Sequence, residues 1–187
     1  MRATVVQQPV ARGAIRLGGR AIARLAPCDR ARAGVADVPQ VREIVPPLTV
    51  RERLETGFAP CRRGDRSVPG EIYDLFPALR DMPHRRGGDL SGGQQQLAIG
   101  RALVTRPRLL VLDEPTEGIP PSIVKDIGRA IAYLRGKGEM AIVLAEQSFE
   151  WARDLCDAYA VTDRGQVVEA GPRAAMVEAD ARTWLSV

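Results

Sequence analysis

The chain has 187 residues, a formal net charge of +4 and 45% hydrophobic residues, which fits one domain with a real core and excludes a compositionally disordered chain. Aromatic residues make up only 4%, so the core has to be aliphatic. No apolar run approaches the ~18 residues of a membrane span, and nothing after Met1 reads as a signal peptide.

Charge is unevenly spread. Residues 1–86 hold sixteen Arg against nine acids, and the remainder eleven Lys or Arg against fourteen acids. The arginines of the first half are scattered, without interleaved aromatics or a nucleic-acid reader motif, so they read as solvated surface and predict no nucleic-acid partner. Cys28, Cys61 and Cys156 are odd in number and far apart, which argues against a disulfide framework or a zinc site and suits a reducing cytoplasm.

In chain order, Gly13 to Leu25 reads as a strand, a Gly-Gly turn and a short second segment. Val35 to Val38 is a short strand before Pro39-Gln40. Thr49 to Gly57 carries a capping box, Thr49 with Glu52, and stops at Gly57. Residues 60–70 form a polar loop rich in Pro and Gly. Glu71 to Arg80 is one short helix with Ile72, Leu75, Phe76 and Leu79 on one face. His84, the single histidine, is a surface residue. Ser91 can cap a helix over Gln94 to Val104. Pro120-Pro121 can start a helix whose Ile123, Val124, Ile127, Ala130, Ile131 and Leu134 form a core face, with Gly136 and Gly138 stopping it. Met140 to Ala145 is a buried strand, Ser148 to Asp157 a helix and Tyr159 to Thr162 a further strand. Asp163-Arg164-Gly165 turns into Gln166-Val167-Val168, and Pro172 to Ala179 is a terminal helix. Alternating strands and helices of these lengths predict an α/β fold with a parallel, right-handed sheet.

Chemistry concentrates between Leu90 and Gly118, LSGGQQQLAIGRALVTRPRLLVLDEPTEG. Two glycines opening a helix let backbone N–H groups approach an anion, phosphate above all. Leu109 to Leu112 is too short for a helix and suits a strand buried on both faces. It ends in Asp113-Glu114, where α/β sheets place ligands. Asp113 suits magnesium, and Glu114 a general base or water-orienting group.

LSGGQ, an apolar strand and DEPT together resemble the signature sequence and Walker B strand of the ATP-binding cassette (ABC) ATPases. The wider wording, through Ser122-Ile123-Val124-Lys125-Asp126-Ile127, is similar to the branch serving branched-chain amino-acid and urea importers, the urea type most closely. The resemblance spans roughly residues 13 to 170. It implies a P-loop NTPase sheet, about 13–40 and 106–170, with a helical subdomain at about 41–105. It implies ATP and Mg²⁺ as cofactors. Catalytic roles fall to Glu114 and to Gln147 at the switch position, and metal contacts to Asp113 and Gln40, the Q-loop residue. Nucleotide contacts fall to Gln40, Ser91, Gly92, Gly93 and Gln94. The implied partners are a second ABC subunit, docked head to tail, and transmembrane permease subunits. The implied location is cytoplasmic, peripheral on the inner face of the membrane.

The chain departs from the family pattern in several places. Val41 stands where glycine is expected and Asp37 where an aromatic is expected. The signature helix is one residue short, so either its Ser91 end or its Ile99/Leu103 face must shift by about 100°. No G-x-x-x-x-G-K-[ST] occurs, and the only lysines are Lys125 and Lys137. The expectation is therefore one incomplete ABC domain beginning after the Walker A loop and lacking the N-terminal strands. The alternative to an active ATPase is a non-catalytic subunit that supplies its signature turn to a partner's ATP site.

Overall fold

A computed structural model of the chain describes residues 10, 12–40, 47–61, 66–90 and 93–176. They divide into two compact units, one through Ala145 and one from Glu146 onward.

The first unit opens with a hairpin, β1 (Arg16–Leu17) and β2 (Arg20–Ala21), joined at Gly18-Gly19. Helix α1 (Pro27–Arg32) follows, with proline in its first turn, where a missing N–H costs nothing. Strand β3 (Val35–Val38), β4 (Leu109–Asp113) and β5 (Ala141–Ala145) then form a parallel sheet in the order β3-β4-β5. Val38 lies opposite Leu112, and Asp113 opposite Ala145. Leu110, Val111 and Leu112 are buried, as a strand with neighbours on both sides requires.

Between β3 and β4 the chain is helical: α2 (Val50–Thr56), α3 (Gly70–Leu75), α4 (Pro77–Asp81) and α5 (Gly93–Leu103). The predicted capping box is present, since the Thr49 hydroxyl accepts from Glu52 N–H and the Glu52 carboxylate accepts from Thr49 N–H. The predicted single helix over Glu71 to Arg80 is instead two. Pro77 has no N–H to continue the ladder and its ring disfavours the helical region for the preceding residue, so Phe76 sits at φ −132°, ψ 76°. The apolar face survives the break, with Ile72, Phe76 and Leu79 buried. Gly57 also differs from a left-handed cap. Its φ is −60°, and its lack of a side chain matters because a Cβ there would lie 2.5 Å from the Arg101 carbonyl oxygen of α5.

Along α5, Leu97, Ala98, Ile99, Ala102 and Leu103 are buried. The helix thus keeps its Ile99/Leu103 face in the core despite the missing residue; Ser91 and Gly92 lie outside the described residues, as does Val41. Helix α6 (Pro121–Lys137) buries Ile127, Ala130, Ile131 and Leu134, while Ile123 and Val124 are only half-buried. It runs through Gly136 and stops at Gly138, whose φ of 66° is the left-handed conformation glycine adopts without strain. Strand β5 is less buried than its apolar sequence predicts. Ala141 and Val143 are exposed because the strand is hydrogen-bonded to β4 on one side and, among the described residues, to nothing on the other.

The second unit contains α7 (Phe149–Leu155) and a hairpin of β6 (Ala158–Asp163) with β7 (Gln166–Pro172). The expected strand over Tyr159 to Thr162 is present within β6, and the expected turn at Asp163-Arg164-Gly165 leads into β7, which is antiparallel to it. Arg164 (φ 46°) and Gly165 (φ 81°) make a two-residue turn with both φ positive, the geometry that matches strand twist and folds β7 straight back on β6. The expected terminal helix is a single 3-10 turn over Arg173–Ala175, with residues 177–187 outside the described set. None of residues 146–176 is buried.

Candidate functional site

The parallel register of β3 and β4 decides what meets at their carboxyl ends. With Val38 opposite Leu112, Gln40 and Glu114 each lie two residues beyond the pair. The Gln40 amide Nε2 donates to Glu114 Oε2 at 3.1 Å and to Glu117 Oε2 at 2.7 Å. A primary amide carries two N–H bonds, so one side chain serves both carboxylates. Glu114 is half-buried, whereas Gln40 and Glu117 are exposed.

The turn after β4 is built to aim Glu114. Its φ is 46°, a left-handed conformation that costs a residue with a side chain about 1–2 kcal/mol. The conformation is held by its N–H, which donates to Ala145 O at 2.9 Å, and by Glu117 N–H, which donates back to Glu114 O at 3.2 Å. The backbone of Glu114 thus continues the β4–β5 ladder while its side chain turns toward β3. Strained backbone of this kind is tolerated where the surroundings over-determine it, and such places cluster at functional sites.

Asp113, the last residue of β4, is half-buried beside this cluster in sequence. Among the described residues no group of three His, Cys, Asp or Glu side chains could cage a metal. A divalent ion here would take one or two side-chain oxygens and draw the rest from phosphate and water, which is how Mg²⁺ is ordinarily held. The oxygen-bearing set Asp113, Glu114 and Gln40 fits that requirement. A phosphate-gripping lysine is not among these neighbours. Lys125 and Lys137 both lie on α6, and Lys137 is engaged by Glu71 (2.8 Å) and Glu139 (3.0 Å), whose carboxylates push its pKa up.

Of the other predicted site residues, Gly93 opens α5 and Gln94 donates from Nε2 to Gly88 O at 3.0 Å, tying the helix start to the preceding turn. Gln147 lies in the second unit, two residues past β5, its N–H 3.2 Å from the Glu146 carboxylate. Sequence reasoning missed Glu117, although counting equal distances past the Val38–Leu112 pair places Gln40 within reach of the β4 turn. It also missed Gln96. That side chain is buried, donates to Asp126 Oδ2 of α6 at 3.2 Å, and leaves its Oε1 without a partner.

Comparison with known proteins places the chain among its relatives. The "ABC transporter" family model matches residues 1–117. The chain is 38% identical over 160 residues to the high-affinity branched-chain amino acid transport ATP-binding protein BraG of Pseudomonas aeruginosa, covering 84% of this chain and 68% of that protein. It is 34% identical over 147 residues to the probable branched-chain amino acid transport ATP-binding protein LivF of Archaeoglobus fulgidus, covering 78% and 62%. It therefore spans about two thirds of the length of these relatives. A solved nucleotide-free ATP-binding cassette from an ABC transporter superposes with a TM-score of 0.80 at 23% identity, over 100% of this chain and 78% of that one. A parallel sheet that ends in Asp113-Glu114, a helical segment leading into Gly93, and a family match over residues 1–117 meet in one assignment: the chain belongs to the ABC transporter family.

Proposed function

We propose that the chain is the ATP-binding subunit of an importer, coupling ATP binding and hydrolysis to the uptake of branched-chain amino acids or urea. The observation that carries this reading is the Gln40 amide held between Glu114 and Glu117 at the carboxyl ends of β3 and β4. The names of the BraG and LivF relatives support the amino-acid cargo. The wording from Gly100 through Ile127 supports the urea alternative.

In this reading Asp113 and Gln40 hold Mg²⁺, which supplies charge neutralisation to the phosphates when bound. Glu114 orients and polarises the attacking water, its carboxylate already directed by the Glu114 turn. Gln147 senses the terminal phosphate. Ser91, Gly92, Gly93 and Gln94 present the signature turn to nucleotide held by a second ABC subunit, docked head to tail. The helical segment of residues 41–105 docks on permease subunits, which keeps the protein on the cytoplasmic face of the membrane. No helix among the described residues is long and apolar enough to cross a membrane itself.

The test is Mg-ATP binding to the purified, monodisperse chain, with Asp113→Asn as comparison. Saturable binding, weakened roughly tenfold or more in the variant, is expected where one charge-assisted oxygen contact to the metal–phosphate group is lost. Absence of binding to a folded sample overturns this reading of the chain as a nucleotide holder in its own right. A second reading then stands, favoured by both lysines lying on α6. The chain would supply only its signature turn to a partner's ATP. Adding the chain to an intact ABC subunit would raise that subunit's ATPase rate; an unchanged rate excludes it.

A further inference from the structure

Helices α5 and α6 are joined by a polar bond inside an otherwise apolar contact. Gln96 of α5 is buried, and its Nε2 donates to Asp126 Oδ2 of α6 at 3.2 Å. Arg129 donates to the other oxygen of the same carboxylate. An ionised carboxylate only accepts, so the bond fixes which end of the amide faces α6. It turns Oε1 to a place where, among the described residues, it meets no donor. A buried acceptor left that way opposes folding, so stability alone does not account for an amide at this position.

The placement of the bond matters more than its strength. Gln96 is the fourth residue of α5, one turn on from Gly93. It therefore anchors the turn whose N–H groups have no partner within the helix. Gln94 ties the same turn to Gly88 O. Asp126 lies near the start of α6, the helix that leaves the turn carrying Glu114 and Glu117. A second tie runs from Glu71 of α3 to Lys137 of α6 at 2.8 Å. Asp126 and Lys137 are eleven positions apart, about 1100° of helix rotation, and so share one face of α6 to within about 20°. Lys137 holds the helical segment at the end of α6 remote from the β4 turn, and Gln96 holds it at the end nearest that turn.

We infer that Gln96 is a positioning residue, whose bond to Asp126 sets the opening turn of α5 in a fixed relation to the Gln40–Glu114–Glu117 cluster. The inference rests on the reading that Gly93 and Gln94 face nucleotide held by a second ABC subunit. Backbone N–H groups grip phosphate only when they are held where the oxygens arrive, and a displacement of about 1 Å in such a group costs roughly a hundredfold in rate.

The test uses the full chain and three variants. Gln96→Met keeps the side-chain volume and breaks the bond. Asp126→Ala breaks it from the other side. Asp126→Asn keeps it, because two amides bond in either orientation. In the chain alone, the N–H groups of Leu97, Ala98 and Ile99 close the first turns of α5 onto residues 93–95. Their deuterium exchange should run roughly tenfold faster in Gln96→Met and Asp126→Ala, match wild type in Asp126→Asn, and leave Ile127 to Leu134 of α6 unchanged. With Mg-ATP and an intact ABC subunit that carries its own lysine loop, both bond-breaking variants should lower the maximal stimulation of that subunit's ATPase roughly tenfold or more. The chain concentration giving half the effect should stay within about twofold, whereas a loss of folded chain would move that concentration and spare the maximum. Combining Gln96→Met with Asp126→Ala should cost no more than either alone. Equal exchange in all the chains, faster exchange across α6 as well, full stimulation by Gln96→Met, or additive losses in the double variant would each overturn the inference. A wild-type chain that stimulates nothing refutes the reading of the turn as a nucleotide contact; the exchange contrast, measured without nucleotide, still decides whether Gln96 positions α5.

Discussion

Gly57→Ala tests the packing that positions the signature helix. At φ −60°, ψ −21°, alanine adopts this backbone without strain, so a reading based on conformation alone predicts a stabilised protein. That gain is about 0.4–1 kcal/mol, from the restricted unfolded chain. The contacts predict the opposite. The new Cβ would lie 2.5 Å from Arg101 O, 3.0 Å from Leu54 O and 3.1 Å from Val104 Cβ. Two of the three are backbone atoms, which cannot swing away as a side-chain tip can. Moving α2 off α5 to restore normal separation is an overpacking event, costing about 1–3 kcal/mol. The balance is a destabilisation of roughly 1–2 kcal/mol, which for an m-value near 2 kcal/mol/M lowers the urea midpoint by about 0.5–1 M. Gly136→Ala is the matching control. It lies inside α6 with nothing within 4 Å of the built Cβ, so it should raise the midpoint through helix propensity, by about 0.5–1 kcal/mol. A Gly57→Ala midpoint equal to or above wild type would refute the close approach of α2 and α5.

Other outcomes follow from the same packing. Leu54→Ala, at a side chain with no exposed surface, should cost about 2–5 kcal/mol in urea unfolding. Thr49→Ala removes the acceptor for Glu52 N–H and should cost about 1 kcal/mol. The Thr49 N–H and hydroxyl hold the Glu52 pKa below its ordinary 4.5. A lowered folded pKa gives stability that is fully present above pH 4.5 and lost as pH falls through the depressed value. Glu52→Gln should therefore flatten the acid limb of a urea-midpoint against pH curve below that point. Gln96→Met should stay within about 1 kcal/mol of wild type, because it removes the unpartnered Oε1 while Asp126 keeps its bond from Arg129; a larger loss would show that the Gln96–Asp126 bond dominates.

Short-range chemistry made much of this fold legible in the sequence. Thr49 with Glu52, the apolar run at Leu109 and the 3.6-residue period of α6 each declare a local structure whose cause lies within a few residues. The parallel sheet follows from their alternation. What escaped was set by contacts distant in sequence. Gly57 reads as a left-handed cap until Arg101, forty-four positions on, is seen against it. Nothing local in the helix over Gln94 to Val104 declares that Gln95 and Gln96 are buried. Apolar β5 reads as fully buried, because hydrophobicity reports what a strand prefers and not whether a neighbour is present. In the candidate site, Gln40 and Glu114 were legible as separate motif residues. Their direct contact, and the place of Glu117 in it, became visible only with the β3–β4 register.

The lack of any buried residue between Glu146 and Met176 has a consequence for how ligand contact would be sensed. A segment without interior apolar side chains opens at a free energy far below that of global unfolding, so its amide protons exchange early. Gln147 stands at the start of that segment. A contact that immobilises Gln147 would be reported by slowed deuterium uptake across α7 and the β6–β7 hairpin, well beyond the atoms touched. On the proposed role of Gln147, that spread of protection along the segment would be the readout of nucleotide contact.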